Sequence, residues 1–438
     1  MDLDDFDTFR IATCDLNGQM RGKRMPQKDQ GKLASGDLRM PLSVLNVDIW
    51  GADIANSPLL FASGDGDGYL LPTNRGPVPM PWLDQPSALV GMWMFEEDGR
   101  PFEGDPRHAL AQILDCYAAR GWQVVAATEL EFYLIDDSAE SPRPPKDPAS
   151  NRKIDSSAIL SLQQLDAFEA FFSELYQSCA QMGINAQAAS SEAGIGQFEI
   201  SLQHGDALRI ADDTWLFKTL LKGVARKHGY AASFMAKPYP NDAGNGLHLH
   251  FSVLDEAGEN IFDDGTKQGS PLLQNAVAGC LATMRAATLG FAPHANSYAR
   301  MDPENHAPTS ICWGYENRTA ALRIPAGAPS ARRIEHRVAG GDINPFLTLS
   351  LILGAALLGI EDDLTPPPPI TGNAYSQDLP QLIHSWSDAI DMFENDPMVA
   401  RILPAQLIEN FSLTKRQELD GLKNIPQEEH WKTYLENV

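Results

Sequence analysis

Four segments of this chain alternate charged with apolar residues at a period of two: TELEFYL (128–134), GQFEISL (196–202), GLHLHFSVL (246–254) and RRIEHRVA (332–339). Side chains two apart in a strand point to the same side. Glu129 and Glu131 therefore share one face, and Leu130, Phe132 and Leu134 share the other. Glu199 alternates with Phe198 and Ile200, and His248 and His250 stand opposite Leu247, Leu249 and Phe251. Arg333, Glu335 and Arg337 likewise share a face. One face of each strand builds a core. The bland reading of the other is a solvated sheet surface. However, adjacent carboxylates on a mostly buried strand repel, at a cost that cations relieve.

If these faces line one cavity, it gathers Glu129, Glu131, Glu199, Glu335 and His248, with Glu192 seven residues before Glu199 across a Gly-rich turn. Arg300, Arg318, Arg323, Arg333 and Arg337 flank it. Carboxylates with one or two imidazoles suit Mg²⁺ or Mn²⁺, because hard oxygen donors dominate and no thiolate is placed to favour zinc. Guanidinium groups beside such a site point to a phosphate-bearing substrate, bound in bidentate fashion. The combination predicts metal-assisted phosphoryl transfer. No GxxxxGK[ST] occurs, and the Gly-rich stretch DAGNGLHLH leads into a strand instead of a helix, so neither a P-loop nor a Rossmann nucleotide site is expected.

Charge narrows the partners. With 34 Lys+Arg against 58 Asp+Glu the formal net charge is −24, which disfavours nucleic acid as a partner. Five dispersed cysteines without a CxxC pair argue against a disulfide framework and fit a reducing, cytoplasmic location. The acidic start MDLDDFDTFR has neither a basic nor an apolar signal region. The apolar run 345–360, PFLTLSLILGAALLGI, is shorter than the roughly 20 residues a membrane helix needs, so it predicts a buried helix and no membrane partner.

The order of elements predicts an α+β chain. Residues 1–103 combine short apolar runs with Gly and Pro turns and predict a small β-rich domain; residues 104–438 form a second domain. At the boundary Asp105 is placed to cap a helix with Pro106 at its first position. Further helices are expected over 165–182, 213–228 and 272–289, with strands at TAALRIP (319–325) and RRIEHRVA. Trp93, Phe171, Phe172 and Trp386 are expected in the core.

The segments TELEFYL, SEAGIGQFEI, FMAKPYPNDAGNGLHLHFS, NSYAR, NRTAALRIP and RRIEHRVAGGDINPFL occur in the order and spacing of the glutamine synthetase family, which the chain resembles over nearly its whole length. The resemblance implies an N-terminal β-grasp domain and a catalytic domain with an antiparallel half-barrel. It also implies a homo-oligomer, a double-ring dodecamer with active sites between subunits. ATP would phosphorylate the γ-carboxylate of glutamate, and an amine would attack the γ-glutamyl phosphate. Two or three Mg²⁺ or Mn²⁺ ions would serve each site. By match to the family, Glu131, Glu192 and Glu199 hold one metal, and Glu129, His248 and Glu335 another. Arg300 and Arg337 clamp the glutamate carboxylate, with Gly244 in the glutamate loop. Arg318, Arg323 and Arg333 contact phosphate, with Arg318 assigned a catalytic role, and His250 and Ser252 contact the nucleotide.

Departures from the family pattern carry the specificity. Where glutamine synthetases have a glutamate that helps bind and deprotonate ammonium, the stretch ARMDPENHAP places His306. A neutral imidazole there is suited to accept a proton from a larger amine; the competing reading is that His306 fills space. DLNGQMRGKRMP and SVLNVDIWG look most similar to the γ-glutamylputrescine synthetase branch, which makes γ-glutamyl amides of polyamines and other primary amines. Asp48 falls near the family's β-grasp aspartate that reaches a neighbour's amine site. Tyr375 lies where some bacterial relatives are adenylylated, but its context matches poorly, so a surface-loop tyrosine is expected. Glutamine synthetase proper and a non-catalytic relative are the alternatives, and the complete set of metal ligands argues against the second.

Overall fold

The computed structural model describes residues 3–61, 64–303 and 307–438. Its first five strands are β1 (Thr8–Cys14), β2 (Met20–Pro26), β3 (Arg39–Pro41), β4 (Asp67–Pro79) and β5 (Ser87–Phe95). They form one sheet in the order β2-β1-β5-β4-β3. Its central pair, β1 and β5, is parallel, and the flanking pairs are antiparallel. Phe9, Ile11, Leu70, Val90 and Met92 bury one face of it.

Eight further strands make the second sheet: β6 (Gln123–Ile135), β7 (Ala186–Ser191), β8 (Gln197–Asp206), β9 (Ala231–Ser233), β10 (Leu247–Leu254), β11 (Trp313–Tyr315), β12 (Leu322–Ile324) and β13 (Ile334–His336). Their order is β11-β12-β13-β10-β6-β8-β7, with β9 paired to β6. Most pairs are antiparallel, and helices lie between the strands in sequence without regular crossovers, as the α+β expectation requires. The apolar parity anticipated for β6 is the buried one: Leu130, Phe132 and Leu134 are fully enclosed.

Local signals explain the helix ends. Asp105 caps helix Pro106–Ala118 by accepting from Arg107 N at 2.8 Å. The helix expected at 213–228 starts earlier, at Ala207, because Asp206 caps it from Arg209 N at 3.0 Å. The stretch expected as one helix over 165–182 is two, Leu162–Ala167 and Glu169–Met182, divided where Phe168 leaves helical geometry. The helix expected over 272–289 runs Pro271–Met284, with a short turn Thr288–Phe291 beyond it. Helix Pro345–Glu361 is buried almost throughout, which explains its all-round apolar sequence. TAALRIP and RRIEHRVA shrink to three-residue strands: Pro325 brings no amide hydrogen, and Arg337 N bonds Ala321 O beyond the ladder. Phe171, Phe172 and Trp386 lie in the core. Trp93 does not; it is half-buried, stacked on His108 at 4.5 Å and under the Arg107 guanidinium at 3.7 Å.

Candidate active site

Strand register brings the charged faces together. On β6, Glu129 pairs with His248 of β10, and Glu131 with Glu199 of β8. Farther along, His250 pairs with Glu335 of β13, which in turn pairs with Arg323 of β12. Directly opposed residues stand about 5 Å apart, so these pairings alone assemble a row of acid and imidazole across four strands.

The side chains close into two compact groups. Ligand atoms of Glu129, Glu199 and His248 lie within 4.8 Å of one another, as do those of Glu129, His250 and Glu335. Glu131 and Glu192, which the resemblance assigned to a metal, fall outside both groups, and each has a hydrogen-bond donor of its own. Glu131 Oε2 accepts from Gly246 N at 2.6 Å, and Glu192 Oε1 from Ser190 Oγ at 3.1 Å. Glu129 is the shared member. Its two oxygens face His248 Nδ1 at 3.4 Å and His250 Nε2 at 3.2 Å.

Electrostatics separates these carboxylates. Burial acts to raise Glu129, but the two imidazoles outweigh it and hold Glu129 well below the ordinary range. Burial likewise opposes ionisation of Glu335, and Arg337, His248, His250 and Arg323 overcome it. Glu199 gains less: burial, then the charges of Glu131, Glu129 and Glu192, push it up to about 9 against the smaller pull of Arg337. Burial and Glu131 push Glu192 to about 7. Burial also lowers His248, favouring the neutral imidazole that a metal requires. His250 Nε2 is a buried nitrogen whose near neighbour is the Glu129 carboxylate at 3.2 Å. An oxygen-rich set whose carboxylates raise one another, with two imidazoles among them, fits divalent cations of the Mg²⁺ or Mn²⁺ kind.

The arginines surround this row. Arg300 is buried and donates to Val338 O at 2.8 Å. Arg337 is buried and paired to Glu335, whose other oxygen accepts from Arg323 Nη1 at 2.8 Å. Arg333 Nε donates to His250 Nδ1 at 3.3 Å. Arg318 is exposed, and its charge acts on Glu192. Beside them lies a cavity of about 440 Å³ whose walls include Glu129, His250, Ser252 and Arg333.

Two glycines permit this packing. A Cβ on Gly244 would fall 2.6 Å from Ala236 O and 2.7 Å from Arg300 Cγ. One on Gly246 would fall 2.8 Å from Arg300 Nη2, 3.3 Å from His248 Nε2 and 3.4 Å from Glu131 Oε1. Gly246 thus marks the point where arginine, imidazole and carboxylate converge, and the strand alternation gave no sign of it. Gln197 was also missed; it holds the Gly244 carbonyl from Nε2 at 2.9 Å. His204 lines the cavity although its parity is opposite to that of Glu199 and Ser201. The reason is a bulge: Thr128 pairs with Leu202 but Ala126 with Gly205, so β8 carries one extra residue there.

Three expected residues remain. Asp48, expected to reach a neighbour's amine site, is engaged within its own chain. It is 3% exposed, and its carboxylate accepts from Trp50 N at 3.0 Å, Ala52 N at 2.9 Å and Gln417 Nε2 at 2.8 Å, closing a turn of its own chain. Tyr375 is not a surface tyrosine: the residue is half-buried and its hydroxyl is enclosed. His306 lies outside the described residues.

Residues 103–434 match the family model described as "Glutamine synthetase, catalytic domain". The chain is 34% identical to the γ-glutamylputrescine synthetase PuuA of Escherichia coli (strain K12), over 98% of this chain and 91% of that one. It is 32% identical to the glutamate–isopropylamine ligase of Pseudomonas sp, over 94% and 91%. A solved structure described as "GmaS/ADP complex-Conformation 1" superimposes with a TM-score of 0.83 at 28% identity, covering 98% of this chain and 97% of that one. An acid-imidazole row on an antiparallel sheet, a matching catalytic-domain model and full-length relatives thus place the chain in the glutamine synthetase family.

Proposed function

We propose that the protein ligates the γ-carboxylate of glutamate to an organic amine at the expense of ATP, with a polyamine such as putrescine or another primary amine as acceptor. The observation that carries this reading is the group Glu129, Glu199 and His248, whose His248 also meets Arg300 and Glu131 at Gly246, beside a 440 Å³ cavity. Relatives named for putrescine and isopropylamine ligation support the choice of an organic amine, and the neighbour named as an ADP complex supports a nucleotide in the cavity.

In this reading Glu129, Glu131, Glu192, Glu199, His248 and Glu335 hold two or three Mg²⁺ or Mn²⁺ ions, and His250 is close enough to share in one group. Bound there, such ions neutralise phosphate oxygens. Arg300 and Arg337 grip the carboxylate of glutamate and aim its γ-carboxylate oxygen at the terminal phosphorus of ATP. Arg318, Arg323 and Arg333 stabilise charge as the phosphorus–oxygen bond to ADP breaks and that to the carboxylate forms. The amine nitrogen then attacks the acyl carbon of γ-glutamyl phosphate, phosphate leaves, and His306 takes the proton that the nitrogen loses. We assign the chain residues 1–103 and 104–438 as its two domains, a cytoplasmic location and a double-ring dodecamer. Among the described residues no helix is long and apolar enough to cross a membrane.

The test is phosphate release with ATP, Mg²⁺ and glutamate, comparing ammonium with a panel of amines that includes putrescine, with products identified by mass. Turnover with organic amines and little with ammonium is the expected result. Ammonium as the best acceptor would make the protein a glutamine synthetase. In the same assay His306→Glu should raise ammonium use; an unchanged acceptor preference would remove His306 from the amine site.

A further inference from the structure

Helix Ala405–Leu422 carries a charged pair that solvent does not reach. Lys415 and Glu418 are each 0% exposed, with Nζ 2.9 Å from Oε2. The other oxygen of Glu418 accepts from two groups of the N-terminal region, Asn17 Nδ2 at 2.8 Å and Ile49 N at 2.8 Å. Lys415 also donates to Asn17 Oδ1. On the catalytic side Lys415 Nζ lies 3.5 Å from Nδ1 of His294, itself 1% exposed.

His294 begins a short element that ends in the site. It is the N-cap of helix Ala295–Arg300 and forms a reciprocal cap with Ser297. Ser297 Oγ donates to Asp342 Oδ2 at 2.5 Å, and the last residue, Arg300, donates from Nη1 to Val338 O at 2.8 Å. The six residues of this helix have little room to move independently, being held at one end by Lys415 and at the other by the segment that follows β13.

A buried ion pair is a poor source of stability, because apolar side chains of equal volume commonly do as well or better. What it supplies is direction: Glu418 is satisfied only with Asn17 and Ile49 in place, and Lys415 only with Asn17, Glu418 and His294. We propose that the Lys415–Glu418 pair is a positioning device that sets Arg300 through His294 and so ties the grip on glutamate to the seating of the N-terminal sheet. The inference rests on the reading of Arg300 as a carboxylate-binding residue.

Two variants test it in the full-length protein: Lys415→Met/Glu418→Gln, which removes both charges, and Asn17→Ala, which keeps both and removes the side-chain link to the N-terminal region, leaving the Ile49 N bond. Each is measured for glutamate KM, ATP KM and kcat, beside Arg300→Ala and each combination with Arg300→Ala. We expect glutamate KM to rise roughly three- to thirtyfold, with ATP KM and kcat unchanged and no further rise once Arg300 is gone. Unchanged glutamate KM in a folded variant overturns the proposal, as does an effect additive with Arg300→Ala, or an equal shift in every kinetic constant, which marks a structural role. If the doubly neutral protein does not fold, Asn17→Ala decides alone. Unchanged glutamate KM in Arg300→Ala itself removes the reading of Arg300 and the proposal with it, a result distinct from the others.

Discussion

Two of the regions where this chain encloses charge treat it in opposite ways. At the junction of the two sheets, each buried ion has partners from its own chain. Arg107 donates to both oxygens of Asp212 at 2.8 Å, and Glu418 accepts from Asn17, Ile49 and Lys415. On the β6-β8-β10 face, Glu192 and Glu199 instead face other carboxylates, and burial together with these like charges pushes them up to about 7 and about 9. Self-satisfied charge fixes geometry. Charge that faces like charge takes up a proton or a cation to relieve the repulsion, which is how a site differs from a scaffold.

That contrast breaks if the two regions respond alike to mutation. Glu199→Gln should lower ligation about a thousandfold, corresponding to several kcal/mol of lost charge stabilisation, while the cation-free protein melts no lower than the parent. A fall in melting temperature to match the lost activity would show that the face is structural. At the junction the pattern should invert. Arg107→Ala strands Asp212 and should cost about 3–5 kcal/mol of stability, with glutamate KM unchanged in the protein that remains folded, as chemical denaturation and kinetics would show.

A smaller effect sharpens the comparison through pH. Lys218 is 7% exposed and donates to Gly341 O at 2.9 Å, and burial lowers its pKa from 10.5 to about 8. The unfolded chain therefore binds more protons than the folded one between pH 8 and 10.5, so this group's contribution to stability should rise with pH across that window. The rise is at most about 3 kcal/mol. Thermal melts over this range should lose that component in Lys218→Met; an unchanged profile would mean that Lys218 does not titrate there.

The period-two pattern made Glu129, Glu131, Glu199, His248, His250 and Glu335 legible as one face, because a strand has a single regular alternation and the opposite parity is apolar. Asp105 and Pro106 were legible for the same local reason, since a cap needs only its own first turn. His204 was not, because a bulge shifts strand phase. Nor was the place of Tyr375, whose loop is fixed by distant groups: Ala374 N bonds Thr319 Oγ1 at 2.9 Å, and Ala374 packs with Cys312 and Ala320.

By itself the sequence determined the α+β class, the acidic strand faces and the ordered set of segments shared with the glutamine synthetase family, all properties of local spacing and residue type. Only the tertiary structure decided that Glu129 is shared by two ligand groups while Glu131 turns to Gly246 N. It likewise decided that Arg300, Gly246 and His248 meet at one point, and that Asp48 closes a turn of its own chain. Each of those outcomes is a competition among partners from remote parts of the chain, and a carboxylate's partner is fixed only when folding sets the distances.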